Sequence, residues 1–156
     1  MIHVWTMDWE YYIDQEVHRH YWEHDDTCAF TTLSIVSGLF AVPLESQVLD
    51  AALGMWGAGG QRAQCGLVEG ALMFIGVLGS LRGLNRDRIS RLCRDFAQGF
   101  EEKFGSLICR ELRPEGFAPD NPPHICEDLS RRAIRFTTGF VADAFQVEIF
   151  DTTDTW

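Results

Sequence analysis

The stretch Cys65-Gly66-Leu67-Val68-Glu69-Gly70-Ala71-Leu72-Met73-Phe74-Ile75-Gly76-Val77-Leu78, continuing to Arg82, decides the fold class. It does not alternate apolar and polar residues as a half-buried strand would. Leu67, Val68, Ala71, Leu72, Met73, Phe74 and Ile75 instead place apolar side chains nearly all the way round a helix of about 63–82. A helix of that kind is buried centrally, with other elements around it.

Working outward, Gly57-Ala58-Gly59-Gly60 breaks the chain before this helix. Upstream, Pro43 suits the first turn of a helix over 43–56. Asp25, Asp26 and Thr27 are cap residues for a helix reaching about Phe40. An aromatic-rich helix spans 8–24, with Trp5, Trp9, Ile13, Val17 and Tyr21 recurring at fours. Downstream, Asn85 caps a helix whose apolar stripe is Ile89, Leu92, Cys93, Phe96, Phe100 and Phe104. Gly105 stops it, and Ser106 caps a short helix to Leu112. The loop 113–123 carries Pro114, Pro119, Pro122 and Pro123. A last helix over 124–147 sets Leu129, Ala133, Phe136 and Phe140 on one face. The expectation is an all-α fold, a compact bundle of about six to seven helices forming a single domain. Within it, 1–25 is an aromatic N-terminal helix packed on the domain, 26–148 the cysteine-bearing body, and 149–156 an acidic tail.

The chain has 156 residues, 46% of them hydrophobic, enough for one domain with its own core. Its net charge of −10 repels phosphate backbones, which argues against nucleic acid as a partner. No run of 18 uninterrupted apolar residues is present, so no membrane span is expected. Met1 to Tyr12 contains Asp8 and Glu10 and lacks the basic and apolar regions of a signal peptide, which points to the cytoplasm. There, cysteines more often bind metals or react than form static disulfides.

The five cysteines are Cys28, Cys65, Cys93, Cys109 and Cys126, none within a Cys-x-x-Cys pair. That spacing argues against thioredoxin-like motifs, zinc fingers, ferredoxin-type runs and haem c attachment. Four of them fall at expected helix starts. Cys28 follows Asp25-Asp26-Thr27, Cys65 follows the glycine turn, Cys109 follows Ser106, and Cys126 follows Pro122-Pro123. Free N–H groups and the helix dipole at such positions favour a thiolate. Cys93 differs, lying mid-helix on a core stripe, where cysteine serves as a small hydrophobe.

Several segments resemble the C_GCAxxG_C_C family of small redox-active proteins. The run from Cys65 to Leu72 is similar to its CGAxxG motif, and Gly57 to Gly60 to its glycine-rich stretch. Phe104-Gly105-Ser106 with Cys109-Arg110-Glu111-Leu112 resembles its Phe-Gly-Ser and Cys-Arg-x-Leu segment, with Cys28 and Cys126 at the outer cysteine positions. The resemblance covers roughly 26–140. Leu67 stands where the motif has alanine, Ala58 where glycine is usual, and Cys93 is extra. The resemblance implies a four-cysteine redox domain, and a related domain in a multihaem cytochrome is associated with an iron–sulfur centre.

Three chemistries remain open for Cys28, Cys65, Cys109 and Cys126. The first is an iron–sulfur cluster, 2Fe–2S or 4Fe–4S, with Gly57, Gly59, Gly60 and Gly66 letting backbone approach and donate to its sulfurs, and electron transfer to a redox partner protein as the function. The second is a thiol–disulfide switch or oxidoreductase, for which four cysteines allow three pairings. The third is a structural zinc site, disfavoured by the absence of closely spaced ligand pairs.

His20 and His24, four apart, could join Cys28 at a metal, although surface histidines on a mixed face explain them better. His124 reads as a loop residue. Glu69, on the same helical face as Cys65, needs a partner if buried, and a hydrogen bond to a neighbouring helix end is the favoured explanation over proton-coupled chemistry. Trp5, Trp9, Tyr11, Tyr12, Tyr21 and Trp22 exceed what one packing face needs, and the surplus would suit a homodimer surface.

Overall fold

The computed structural model describes residues 8–113 and 116–149. Trp5, Pro114 and the tail from 150 onward lie outside the described residues. Seven right-handed α-helices and no β-strand are found among the described residues, besides a 3-10 turn at Ala52–Gly54 and a left-handed turn at Gly57–Gly60: α1 Trp9–Glu23, α2 Cys28–Leu39, α3 Ser46–Ala51, α4 Gly66–Leu81, α5 Arg86–Phe104, α6 Cys109–Leu112 and α7 Glu127–Phe145. The all-α bundle expected from the periodicity is the fold observed.

α4 is the central helix. Leu67, Val68, Ala71, Phe74, Ile75 and Leu78 are all buried along it. Its most extensive partner is α2, with α5 and α7 also packed on it. The close approach of α2 depends on two glycines one turn apart. A methyl at Gly66 would stand 2.6 Å from the Met55 carbonyl oxygen and 2.8 Å from Cys28 Cβ, and one at Gly70 would stand 2.7 Å from the Ala29 carbonyl oxygen. Neither position leaves room for a side chain.

α5 and α7 meet through aromatic rings. Phe96 and Phe100 are fully buried, and Phe136 packs against both at 5.6 and 6.2 Å between centroids. Complete burial of a phenylalanine contributes about 1.5–3 kcal/mol, so this layer carries much of the core. α1 lies across α7 and α2, burying Ile13, Val17 and Tyr21. That packing leaves Tyr11 and Trp22 exposed.

The helix boundaries differ from expectation for identifiable reasons. Asn85 caps α5 by accepting from the Arg88 N–H at 2.9 Å, and Gly105 ends it in the left-handed region, both as expected. The helix expected over 43–56 contracts to α3 and a single 3-10 turn at Ala52–Gly54, with Pro43 before it rather than in its first turn. Met55, at φ −90° and ψ 69°, stops propagation there. Thr27 stands at the cap of α2 without a side-chain cap bond.

α4 and α6 both start later than expected because their preceding residues pair with each other. Gln64 and Ile108 form an isolated antiparallel bridge. The Cys65 N–H donates to the Leu107 carbonyl at 2.9 Å, and the Cys109 N–H to the Ala63 carbonyl at 2.6 Å. Ser106 still accepts from the Ile108 N–H, but the helix begins only at Cys109. α7 begins at Glu127 because His124 is left-handed, at φ 57°.

Candidate functional site

The four cysteines singled out by the sequence all sit at helix starts. Cys28 is the first residue of α2 and Cys109 of α6, whereas Cys65 and Cys126 occupy the cap positions of α4 and α7. The bridge between 62–65 and 107–110 fixes Cys65 beside Cys109, while the α2–α4 contact at Gly66 brings Cys28 against the same place. The result is one cavity of about 390 Å³ whose wall includes Cys28, Cys65, Cys109 and Cys126. Trp56, Leu67, Leu112, Phe117 and Leu129 make the rest of the wall largely apolar.

All four are free thiols. No group of three or more His, Cys, Asp or Glu side chains among the described residues is gathered closely enough to grip a single metal ion.

The glycine turn forms one side of the cavity. Gly57, Ala58, Gly59 and Gly60 all have positive φ, from 56° to 80°, a left-handed turn that glycine adopts freely and alanine only at a cost in strain. Gly57, Gly60 and Gly66 line the cavity, but Gly59 does not and is exposed. A methyl at Gly60 would strike the Trp56 ring at 2.7 Å, so this glycine lets the indole fold over the turn.

The electrostatics differ from what helix starts alone predict. Burial pushes the Cys28 thiol up to about 11, with the Tyr21 hydroxyl opposing it and the charges of Cys126 and Cys109 adding to it. Burial pushes Cys65 up to about 12, aided by Cys28 and resisted by the Leu67 N–H. Cys109 and Cys126 are also raised by burial, against the pull of Arg113 on both and of Arg62 on Cys109. The thiolate expected from the helix dipole is therefore overridden, because desolvation of an ion in an apolar cavity outweighs a few oriented N–H groups. The mutual influence of the sulfurs shows that the four act on one another electrostatically.

Sequence reasoning did not anticipate the two arginines. Both guanidinium carbons sit over the Phe117 ring, at 4.0 Å for Arg62 and 4.2 Å for Arg113, in the wall of the cysteine cavity. Arg113 Nε is buried without a hydrogen-bond partner. The available signal was their placement three residues before Cys65 and four after Cys109.

The remaining candidates fall outside the cavity. His20 is buried and bound through Nδ1 to Asp26 at 2.6 Å, and exposed His24 contacts Arg19, so this pair does not join Cys28. His124 stacks on Tyr21 at 5.5 Å. Glu69 is buried, its carboxyl raised by that burial and held by the Ala58 N–H. Its Oε2 is buried without a hydrogen-bond partner among the described residues. Cys93 is half-buried on α5 and does not reach the cavity.

A helical domain that gathers four cysteines from four segments onto one cavity defines a class of small cysteine-site proteins. A sequence profile of one such family, described as "Putative redox-active protein (C_GCAxxG_C_C)", matches residues 27–140. The chain belongs to the C_GCAxxG_C_C family. No curated protein and no solved structure matches it. No helix among the described residues is long and apolar enough to cross a membrane.

Proposed function

We propose that this protein is an electron carrier whose four cysteines, Cys28, Cys65, Cys109 and Cys126, hold an iron–sulfur cluster. The observation that carries this reading is their convergence on one cavity of about 390 Å³. Structural zinc sites commonly draw their four ligands from closely spaced pairs, and this chain has no Cys-x-x-Cys pair. A cavity walled by four sulfurs suits a multi-atom group better. Four thiolates are a complete ligand set for a 2Fe–2S or a 4Fe–4S cluster, which supplies one-electron transfer when bound.

The surroundings agree with an anionic group. Arg62 and Arg113 place positive charge beside Cys109 and Cys126 in a chain of net charge −10. Gly57, Gly60 and Gly66 remove side chains from the wall. The raised thiols disfavour rapid disulfide exchange, which requires the free thiolate. Electrons would be exchanged with a redox partner protein.

The test is the visible spectrum of protein purified without oxygen, with iron, acid-labile sulfide and zinc assayed on the same sample. A coloured protein with iron and sulfide is expected, bleached in the Cys109→Ser variant. A colourless protein that carries zinc, or one that rejects reconstitution and forms disulfides, would overturn the cluster in favour of those chemistries.

A further inference from the structure

Arg62 and Arg113 are the only charged side chains in the wall of the cysteine cavity among the described residues. The chain carries 23 acidic residues for 13 basic ones, yet neither arginine meets a carboxylate among the described residues. Arg113 is half-buried, and its Nε is shut off from solvent without a hydrogen-bond partner. Arg131 and Arg135 also bury Nε, but each holds a carboxylate through a terminal nitrogen. Arg113 has no such compensation. A buried donor left without an acceptor is costly, and native folds rarely leave one without a reason.

The two guanidinium carbons lie 4.0 and 4.2 Å from the centre of the Phe117 ring, so the charges are at most about twice that distance apart. Like charges this close repel. A guanidinium lying over a ring uses its flat face there and keeps its N–H edge for an acceptor. An anion between the two would relieve the repulsion and supply acceptors to both. Their backbones are fixed in advance: the Arg110 N–H donates to the Arg62 carbonyl at 3.1 Å, and the Arg113 N–H to the Cys109 carbonyl at 3.2 Å. Binding then has less ordering to impose.

The rest of the wall indicates what kind of anion fits. Trp56, Leu112, Phe117 and Leu129 offer apolar surface, which rewards a carbon body and not a hydrated inorganic ion. A cavity of about 390 Å³ falls within the roughly 300–1,000 Å³ of pockets that take small organic molecules.

We propose that Arg62 and Arg113 form a binding site for a small organic anion, whose carboxylate or phosphate head meets the two guanidinium edges while its carbon body lies against Trp56 and Phe117. The four sulfurs line the same cavity, so the bound molecule sits beside them. The site stands on the two arginines and the ring and does not depend on what the cysteines hold.

The experiment titrates the protein, as purified without oxygen, with benzoate, phenyl phosphate, benzamide and inorganic phosphate, following binding by calorimetry at low ionic strength. Benzoate or phenyl phosphate should saturate one site, and whichever binds identifies the head group. Benzamide, which keeps the ring without the charge, and inorganic phosphate, which keeps the charge without the ring, should bind about tenfold more weakly or worse. Arg62→Gln and Arg113→Gln should each weaken the organic anion by about tenfold or more, as expected for loss of a charged hydrogen-bond donor. Arg91→Gln, an exposed arginine of α5 outside the cavity wall, should bind as wild type does. Arg62 is itself exposed, so Arg62→Gln keeps the test decisive if Arg113→Gln fails to fold. Absence of saturable binding by both organic anions, equally tight binding of benzamide or inorganic phosphate, or an unchanged affinity in Arg62→Gln overturns the site. That result is separable from the cluster: a coloured protein that binds neither organic anion keeps the electron carrier and loses this site, and a colourless one that binds either does the reverse.

Discussion

Replacing Gly66 with alanine should both destabilise the fold and disturb the cysteine site, and Gly76 on the same helix provides the control. The new methyl at position 66 would meet the Met55 carbonyl oxygen at 2.6 Å, Cys28 Cβ at 2.8 Å and the Ala29 N at 3.2 Å. Two of these atoms are backbone, so no rotamer change relieves the clash and the start of α2 must retreat. Overpacking of this kind costs about 1–3 kcal/mol. The offsetting gain in helix propensity is at most about 1 kcal/mol, and less here because Gly66 is the first residue of α4. At Gly76 a methyl meets nothing within 4 Å, so Gly76→Ala should gain about 0.5–1 kcal/mol. For a chain of this size, each kcal/mol moves the melting temperature by roughly 2–4 °C. Thermal and urea unfolding followed by circular dichroism should show Gly66→Ala melting several degrees below wild type and Gly76→Ala slightly above it. Labelling of Cys28 by a thiol reagent should quicken in Gly66→Ala alone. Equal stability of the two variants would refute the idea that the α2–α4 contact is set by backbone closeness at Gly66.

Two further outcomes follow from the geometry. Cys28 and Cys65 have folded-state values of about 11 and about 12, above the ordinary value of 9.0, so the stability of the reduced metal-free fold is fully present below pH 9 and is lost as pH rises toward 12. Urea titrations at pH 8 and pH 11 should differ by a few kcal/mol (on the order of 1.4 kcal/mol for each tenfold change in proton affinity), with a smaller difference in Cys65→Ser; an identical slope in that variant would remove the thiols as its source. Ala58 sits at φ 56° within the glycine turn, so Ala58→Gly should raise stability by about 0.5–1 kcal/mol, the strain relieved less the flexibility added; a lower melting temperature would contradict that reading.

How far the sequence could be read depended on how local each signal was. Asn85, Gly105 and the stripe through Phe96 and Phe100 specify α5 from within its own residues, and the structure reproduces them. The starts of α4 and α6 were misplaced because a non-local pairing, Gln64 with Ile108, sets them. No window around either residue contains that information. The same pairing moves the helix start onto Cys65 and Cys109, so the association of cysteines with helix N-termini survived while the boundaries shifted. Gly66 and Gly70 could be read as a motif but not as a contact, since their role depends on which helix crosses there. Tyr21 was not legible as a neighbour of the site because only the packing of α1 on α7 brings its hydroxyl to Ser130, whose own bond to the Cys126 carbonyl is local.

Burial and helix starts oppose each other at these cysteines, and the opposition has a chemical use. A thiol held near 11 or 12 in an apolar cavity stays protonated at neutral pH and resists stray oxidation and alkylation, which need the thiolate. Helix-start N–H groups, Arg62, Arg113 and the Tyr21 hydroxyl do not overcome that burial while the sulfurs are neutral thiols. They become effective when the sulfur charge forms, because a fixed donor in a low-dielectric site interacts more strongly with an ion than with a neutral thiol. On the proposed reading, the protons leave as the group binds, and donors already held by α1, the 62–65 segment and α6 stabilise the new charge without reorganising. A more exposed site would lower the thiol values and gain reactivity, but water would screen those donors and weaken their control of the potential. On the proposed reading, burial of the sulfurs therefore suits a tuned centre better than a reactive dithiol.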